Sequence, residues 1–328
     1  MIRFFVSSLL VVPIFSTLTG QDSDDINRNG LSEPKDPPSD PVDIRRRGYI
    51  PDPLRMRTAK KRTRDHYDLT VKIPENFDAA ENWPECADVI NNIRDQSNCG
   101  SCWAVAAAGV ISDRICISTK GKYKVSISSI ATASCGGRDG CHGGGEFIAF
   151  HEFIADGLPT GSEVDKHEGC QPYPFKKCAH HINSTVYPPC DSIPSGHADT
   201  CSHKCQAGYP RKYEDDLFFG KDEYILLNEE ATQREILANG FDNYTGGIYQ
   251  HDPDETKGGG HAVRIVGENG TKYWKIANSW NEGWGEHGFL RIIRGIDDGG
   301  IDSLNAAVSI DTDRLPKKWA TYAPRSRV

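Results

Sequence analysis

Past its first twenty residues the chain has no apolar run long enough to cross a bilayer, so no membrane-spanning helix is expected there. It also lacks an excess of positive charge. Its 46 Asp and Glu outnumber 38 Lys and Arg, for a formal net charge of −8. A balance of that sign argues against nucleic acid as a partner. Between Gln21 and Lys72 there is no tryptophan, no cysteine and little apolar surface. Such a segment cannot bury enough area to offset the entropy of ordering it, which excludes a packed core of its own.

What is present begins with Met1 to Gly20. Arg3 precedes an apolar core, Phe4-Phe5-Val6 through Leu9-Leu10-Val11-Val12, and small and polar residues follow, Ser16-Thr17-Leu18-Thr19-Gly20. This reads as a secretory signal peptide, too short to span a membrane. Eleven cysteines in a secreted chain imply disulfides, and the odd count leaves one thiol over. The 328 residues suit one domain of ~200–250 residues with flanking segments.

The rest of the chain is organised around Gln96-Ser97-Asn98-Cys99-Gly100-Ser101-Cys102-Trp103. Cys102 opens the run Trp103-Ala104-Val105-Ala106-Ala107-Ala108-Gly109-Val110-Ile111, which predicts a buried helix weakened by Gly109 and its β-branched residues. Cys102 then lies in the first turn, where free N–H groups and the positive dipole end favour a thiolate. Taken alone, Cys99 and Cys102 are equally readable as a zinc half-site or as two disulfide ends. A nucleophile needs a basic partner. Gly258-Gly259-Gly260 places His261 at the start of Ala262-Val263-Arg264-Ile265-Val266, a strand signal.

Cys99-Gly100-Ser101-Cys102-Trp103 satisfies the local signature of papain and cathepsin nucleophiles at every position. With Tyr273-Trp274-Lys275-Ile276-Ala277-Asn278-Ser279-Trp280 and Cys178-Ala179-His180-His181 closing at Cys190, the chain resembles the papain-like cysteine proteases, cathepsin B-like ones in particular, from Ile73 to Ile310. The resemblance implies an α+β, papain-like two-subdomain fold. A helical half carries Cys102, a β-barrel-like half carries His261 and Asn278, and an occluding-loop-like insertion borders the cleft. It divides the chain into a signal peptide (1–20), a propeptide or disordered pro-region (21–72) and a peptidase domain (73–328). It also implies that Cys102 attacks, His261 moves the proton, Asn278 aims the imidazole and Gln96 stabilises the oxyanion. Gly143 and Gly144 lie on the substrate strand, Trp280 shields the His–Asn bond, and His180 and His181 receive a substrate's C-terminal carboxylate. The disulfides it implies are Cys86–Cys116, Cys99–Cys141, Cys135–Cys201, Cys170–Cys205 and Cys178–Cys190, with Cys102 free. Substrates are proteins or peptides and inhibitors are cystatin-like. The enzyme is a monomer of the secretory pathway, lysosomal or extracellular, and no metal or organic cofactor is implied.

The sequence departs from this pattern at informative places. The arginine that anchors the loop is absent, with Val186 and Tyr187 in its region, and its acidic partner is Gly283. The expectation is a looser loop, freer endopeptidase action and weaker dipeptidase action, with a second tether from His180 to Asp95 still available. Leu304 stands where many relatives carry a glutamate, which predicts preference for a hydrophobic residue second before the scissile bond. About ten residues, a strand's worth, are missing after Gly240. That loss favours an alternative reading, a catalytically impaired homologue that binds peptides. Sequons at Asn183, Asn243 and Asn269 allow glycosylation.

Overall fold

The computed structural model describes residues 11–13, 49–50, 59–62, 76–136, 140–226, 247–249, 260–269, 272–296, 302 and 305–316. Five helices occur among them: α1 (Ala79–Asn82), α2 (Ala87–Ile90), α3 (Cys102–Ser118), α4 (Ser129–Ser134) and α5 (Glu146–Ala155). The Asp78 carboxylate caps α1 through Ala80 N (2.9 Å). The Ser128 hydroxyl caps α4 through Ala131 N (3.1 Å). These caps satisfy N–H groups that a helix leaves unpaired at its start. Every residue of α3 from Cys102 to Cys116 is buried. A helix enclosed on all sides needs no polar stripe, and its alanines let neighbours approach from every direction. It ends at Thr119, whose hydroxyl turns back onto Ile115 O (2.7 Å).

The strands are β1 (Val11–Pro13), β2 (Lys60–Arg62), β3 (Asn76–Asp78), β4 (Gly220–Leu226), β5 (Ala262–Asn269), β6 (Tyr273–Ala277), β7 (Phe289–Ile293) and β8 (Asn305–Ile310). They form one sheet in the order β2-β4-β8-β1-β5-β6-β7, with β3 also paired to β5. The path has two free ends, so among the described residues the β half is an open sheet and not a closed barrel. β5 separates two cores by the two-residue alternation of a strand. Val263 and Ile265 pack with Trp274, Trp280, Trp284 and Leu290. Ala262 packs the other way, into the cluster that holds Cys102, Ala106 and Phe150.

β1 comes from the stretch read as a leader. Its residues pair with β5 as Val11↔Arg264, Val12↔Val263 and Pro13↔Ala262, and Val11 also faces Ala306 of β8. An N-terminal segment thus stands in the middle of a sheet whose sequence looked one strand short. The stretch after Gly240 lies outside the described residues. The five disulfides join the pairs that the resemblance implied, and Cys102 is the free cysteine.

Candidate active site

α3 and β5 bring Cys102 and His261 to one place from 159 residues apart in sequence. The backbone N–H of Ala262 points at Cys102 Sγ (3.3 Å). The neighbouring His261 directs Nε2 at Asn278 Oδ1 (2.8 Å). Asn278 follows β6, and its Oδ1 is held from the other side by Ser279 N (2.8 Å). An acceptor fixed in this way selects the tautomer that carries its proton on Nε2. Trp280 covers the pair, its ring centroid 4.9 Å from that of His261.

Gln96 reaches the same site from the loop before α3. Its N–H bonds to Ser279 O (2.9 Å), its Oε1 accepts from Ser279 Oγ (2.7 Å) and its Nε2 donates to Cys99 O (3.1 Å). The hydroxyl of Ser279 therefore fixes which end of the amide faces the cysteine loop. One contributor was not legible in the sequence. Tyr173 is fully buried, donates to Gln96 O (2.8 Å) and shares a hydrogen bond with Ser101 Oγ (2.9 Å). Burial pushes its hydroxyl far above the usual tyrosine range, so it stays a neutral strut. Its only sequence signal is an aromatic between two prolines inside the Cys170–Cys205 span.

The cleft is occupied by the chain itself. Ile50 N donates to Gly144 O (2.7 Å) and Tyr49 N to Gly260 O (3.1 Å), so residues 49–50 bridge the wall before α5 and the wall before β5. Tyr49 runs parallel to Gly144 as an isolated bridge. Gly144 has to lack a side chain, because a Cβ there would stand 2.5 Å from Trp103 Cε2. At Gly145 a Cβ would lie 2.9 Å from Ile50 O. These contacts, with Lys60–Arg62 paired alongside β4, place part of a segment whose composition reads as a linker onto the folded domain.

The Cys178–Cys190 loop borders the other end of the cleft. His180 is buried and lies 2.8 Å from Asp95 Oδ1; His181 is exposed. Both rings contact Trp280, at 5.7 Å and 4.9 Å between centroids, so one indole serves three imidazoles. Asp95 also accepts from Ser97 N (2.6 Å), Cys178 N (3.1 Å) and Asn281 Nδ2 (2.7 Å). The sulfurs near His180 are joined to each other, which removes them as thiolate ligands for a metal. His180, His181 and Trp280 line one cavity with Ser97 and Asn183.

The missing arginine–acid tether has a replacement. Tyr187 donates to Glu282 Oε1 (2.6 Å), and Lys177 Nζ lies 3.1 Å from Glu282 and 3.2 Å from Asp165. A Cβ at Gly283 would come 3.3 Å from Tyr187 Cε2 and 2.9 Å from Asn281 Oδ1. The glycine that replaces the acid thus makes room for the tyrosine that replaces the arginine. The expectation of a loop loosened by the loss of one of its two tethers is corrected accordingly. Leu304 lies outside the described residues.

A model of the papain family of cysteine proteases matches residues 73–309. The chain belongs to that family. The protease is 43% identical over 258 residues to "Cathepsin B-like cysteine proteinase 6" of Caenorhabditis elegans, covering 72% of this chain and 66% of that one. It is 42% identical to the "Cathepsin B-like cysteine proteinase" of Schistosoma japonicum, over 78% of this chain and 79% of that one. Among solved structures, the procathepsin B S9 of Trypanosoma congolense superposes with a TM-score of 0.63 at 30% identity, covering 82% of this chain and 88% of that one. The protease spans about two thirds of the C. elegans relative. The resemblance carried by the cysteine signature holds over nearly the stretch expected from it.

Proposed function

We propose that the protease hydrolyses peptide bonds in proteins through Cys102, His261, Asn278 and Gln96. The observation that carries this reading is the line of contacts Cys102–Ala262–His261–Asn278, closed under Trp280. With Nε2 committed to Asn278, Nδ1 is the ring nitrogen left to exchange a proton with the thiol. The thiolate attacks the carbonyl carbon and the imidazolium protonates the leaving amine, giving a thioester. Water then attacks with His261 as base, releasing the acid and restoring the thiol. Gln96 and the Cys102 N–H serve the oxyanion, where one such donor contributes roughly 3–4 kcal/mol.

Residues 1–20 act as a leader, whose removal takes β1 out of the sheet, and residues 21–72 act as a propeptide whose Tyr49 and Ile50 keep substrate out until cleavage. The disulfides fit formation in the oxidising secretory pathway, with a lysosomal or extracellular destination. Asn183 sits exposed on the loop, where a glycan is accommodated. The enzyme acts as a monomer on protein or peptide substrates, prefers a hydrophobic residue opposite Leu304 and is held by cystatin-like inhibitors. Labelling by an epoxide selective for papain-like thiols, after removal of residues 21–72, tests the reading. The expected adduct is on Cys102. A folded, unlabelled protein would leave the peptide-binding homologue instead.

His180 and His181 give the enzyme peptidyl-dipeptidase action beside endopeptidase action. Tyr187→Phe is expected to raise cleavage of a C-terminally blocked peptide relative to a free one by up to about five-fold, since an exposed tether of this kind contributes ~0.2–1 kcal/mol. An unchanged ratio would remove the tether from the argument. The pH sense follows from Glu282. Burial opposes its ionisation, but hydrogen bonds from Tyr187 and Lys177 outweigh burial and hold its carboxyl below the ordinary 4.5. A depressed carboxyl stabilises the folded loop above its unfolded value, and that contribution is lost as pH falls through the folded one. The tether is therefore intact above the ordinary glutamate range and is lost only below it.

A further inference from the structure

The reaction needs α3 and β5 in one register, and one side chain reaches both. Cys102, Ala106, Gly109 and Asp113 are spaced as one face of α3, three turns and about 16 Å from end to end. β5 crosses that face. Its first residue gives its N–H to Cys102 Sγ, and two residues further on Arg264 extends toward the far end of the stripe. Arg264 Nη1 donates to Asp113 Oδ2 (2.5 Å) and Nη2 to Asn92 O (3.0 Å). The pair is buried, with 6% and 0% side-chain exposure. Gly109 makes the passage, since a Cβ there would stand 3.1 Å from Arg264 Cδ. Arg264 thus touches the helix of the nucleophile and the loop that leads to Gln96, and it lies three residues from the imidazole.

We infer that Arg264, laid over Gly109 onto Asp113, is a positioning residue that sets the register of Cys102, His261 and Gln96. The inference rests on the catalytic roles proposed above. Stability alone is a poor reason for such a pair. Desolvating both charges offsets most of their attraction, and what a buried fork supplies best is one defined arrangement. Asp113 illustrates the imbalance. Burial pushes its carboxyl up to about 6 although Arg264, Arg94 and Arg114 all act to lower it. Its Oδ1 has no hydrogen-bond partner among the described residues. The remaining charge on this cell is Glu163, across Arg94. Arg94 is spoken for by Ile127 O, Ser129, Ser112 and Ser126, so it cannot take over the fork.

The test uses the full chain, matured by limited proteolysis, as wild type, Arg264→Lys and Gly109→Ala. Arg264→Lys keeps the charge and loses the fork; Gly109→Ala keeps the pair and displaces it. The readouts are kcat and KM on a peptide substrate and the pH profile of Cys102 alkylation by iodoacetamide. Misplacement of reacting groups by a fraction of an ångström lowers turnover steeply. The expected result for Arg264→Lys is kcat down about tenfold or more, KM within about twofold, and the acid limb of alkylation moved toward neutral pH. Gly109→Ala is expected to move kcat and the limb in the same sense. Variants that melt lower but keep the wild-type kcat and pH profile would overturn the inference and leave a purely structural pair. If Arg264→Lys does not fold, Gly109→Ala decides alone, on the same two readouts. Wild type that fails to label at Cys102 would instead overturn the catalytic reading, so the two failures are distinguishable.

Discussion

Replacing His261 by alanine is expected to lower kcat on the order of 10⁴-fold, comparable to loss of one member of an acyl-transfer triad. The argument is geometric. His261 is the imidazole beside Cys102, its Nε2 is already held by Asn278 at 2.8 Å, and Cys99, the nearest other sulfur in sequence, is committed to Cys141. Alkylation separates this from a folding defect. In the wild type the proposed thiolate–imidazolium pair is expected to make Cys102 reactive at mildly acid pH. In His261→Ala its reactivity should rise only toward the ordinary thiol range near 8.5. A variant that keeps the acid-pH reactivity would sink the assignment of His261, whatever its turnover.

The second large effect is expected at Asp95. Its two oxygens receive Ser97 N, His180 Nε2, Cys178 N and Asn281 Nδ2. Asp95→Ala strands these donors in a buried place, which costs on the order of 3–5 kcal/mol. For a domain of this size the melting temperature should fall by roughly ten degrees. The loss is also directional. It frees His180 and the Cys178 end of the loop together, so cleavage of internal bonds should gain on removal of C-terminal dipeptides. Asp95→Asn keeps the shape but turns one acceptor into a donor facing donors, and should fall between. A melting temperature and a cleavage ratio both at wild-type values would contradict the role given to this carboxylate.

The parts that were legible in the sequence are those written in contiguous residues. Cys99 to Trp103 with the apolar run after it announced a buried helix and its reactive end, and Gly258 to Val266 announced a histidine entering a strand. The disulfide pairing was legible only through the family resemblance, since ten cysteines pair in many ways. Gly109 was read as a weakness of the helix, and it is one locally; its reason is Arg264, which approaches from 155 residues away. Tyr173 and Glu282 escaped for the same cause, while Asp95 was read through the resemblance as a tether for His180 alone, without its Ser97, Cys178 and Asn281 partners. A tyrosine between prolines has no signature until distant partners close on it. The loop tether was missed because its two ends had changed together: Gly283 admits the ring of Tyr187, and the acid moved one place, to Glu282. The barrel-like half reads as strands in sequence, but whether a sheet closes is decided by which edges meet, and among the described residues β2 and β7 do not.

The indole of Trp280 has a use beyond shielding. His180, His181 and His261 all lie within 5.7 Å of it, ring to ring. A charged or polar group beside an indole changes its emission. The chain therefore carries a built-in optical probe at its cleft. The difference in tryptophan fluorescence between wild type and Trp280→Phe isolates this indole, and it reports changes around the three histidines, and filling or emptying of the cleft, without any added dye.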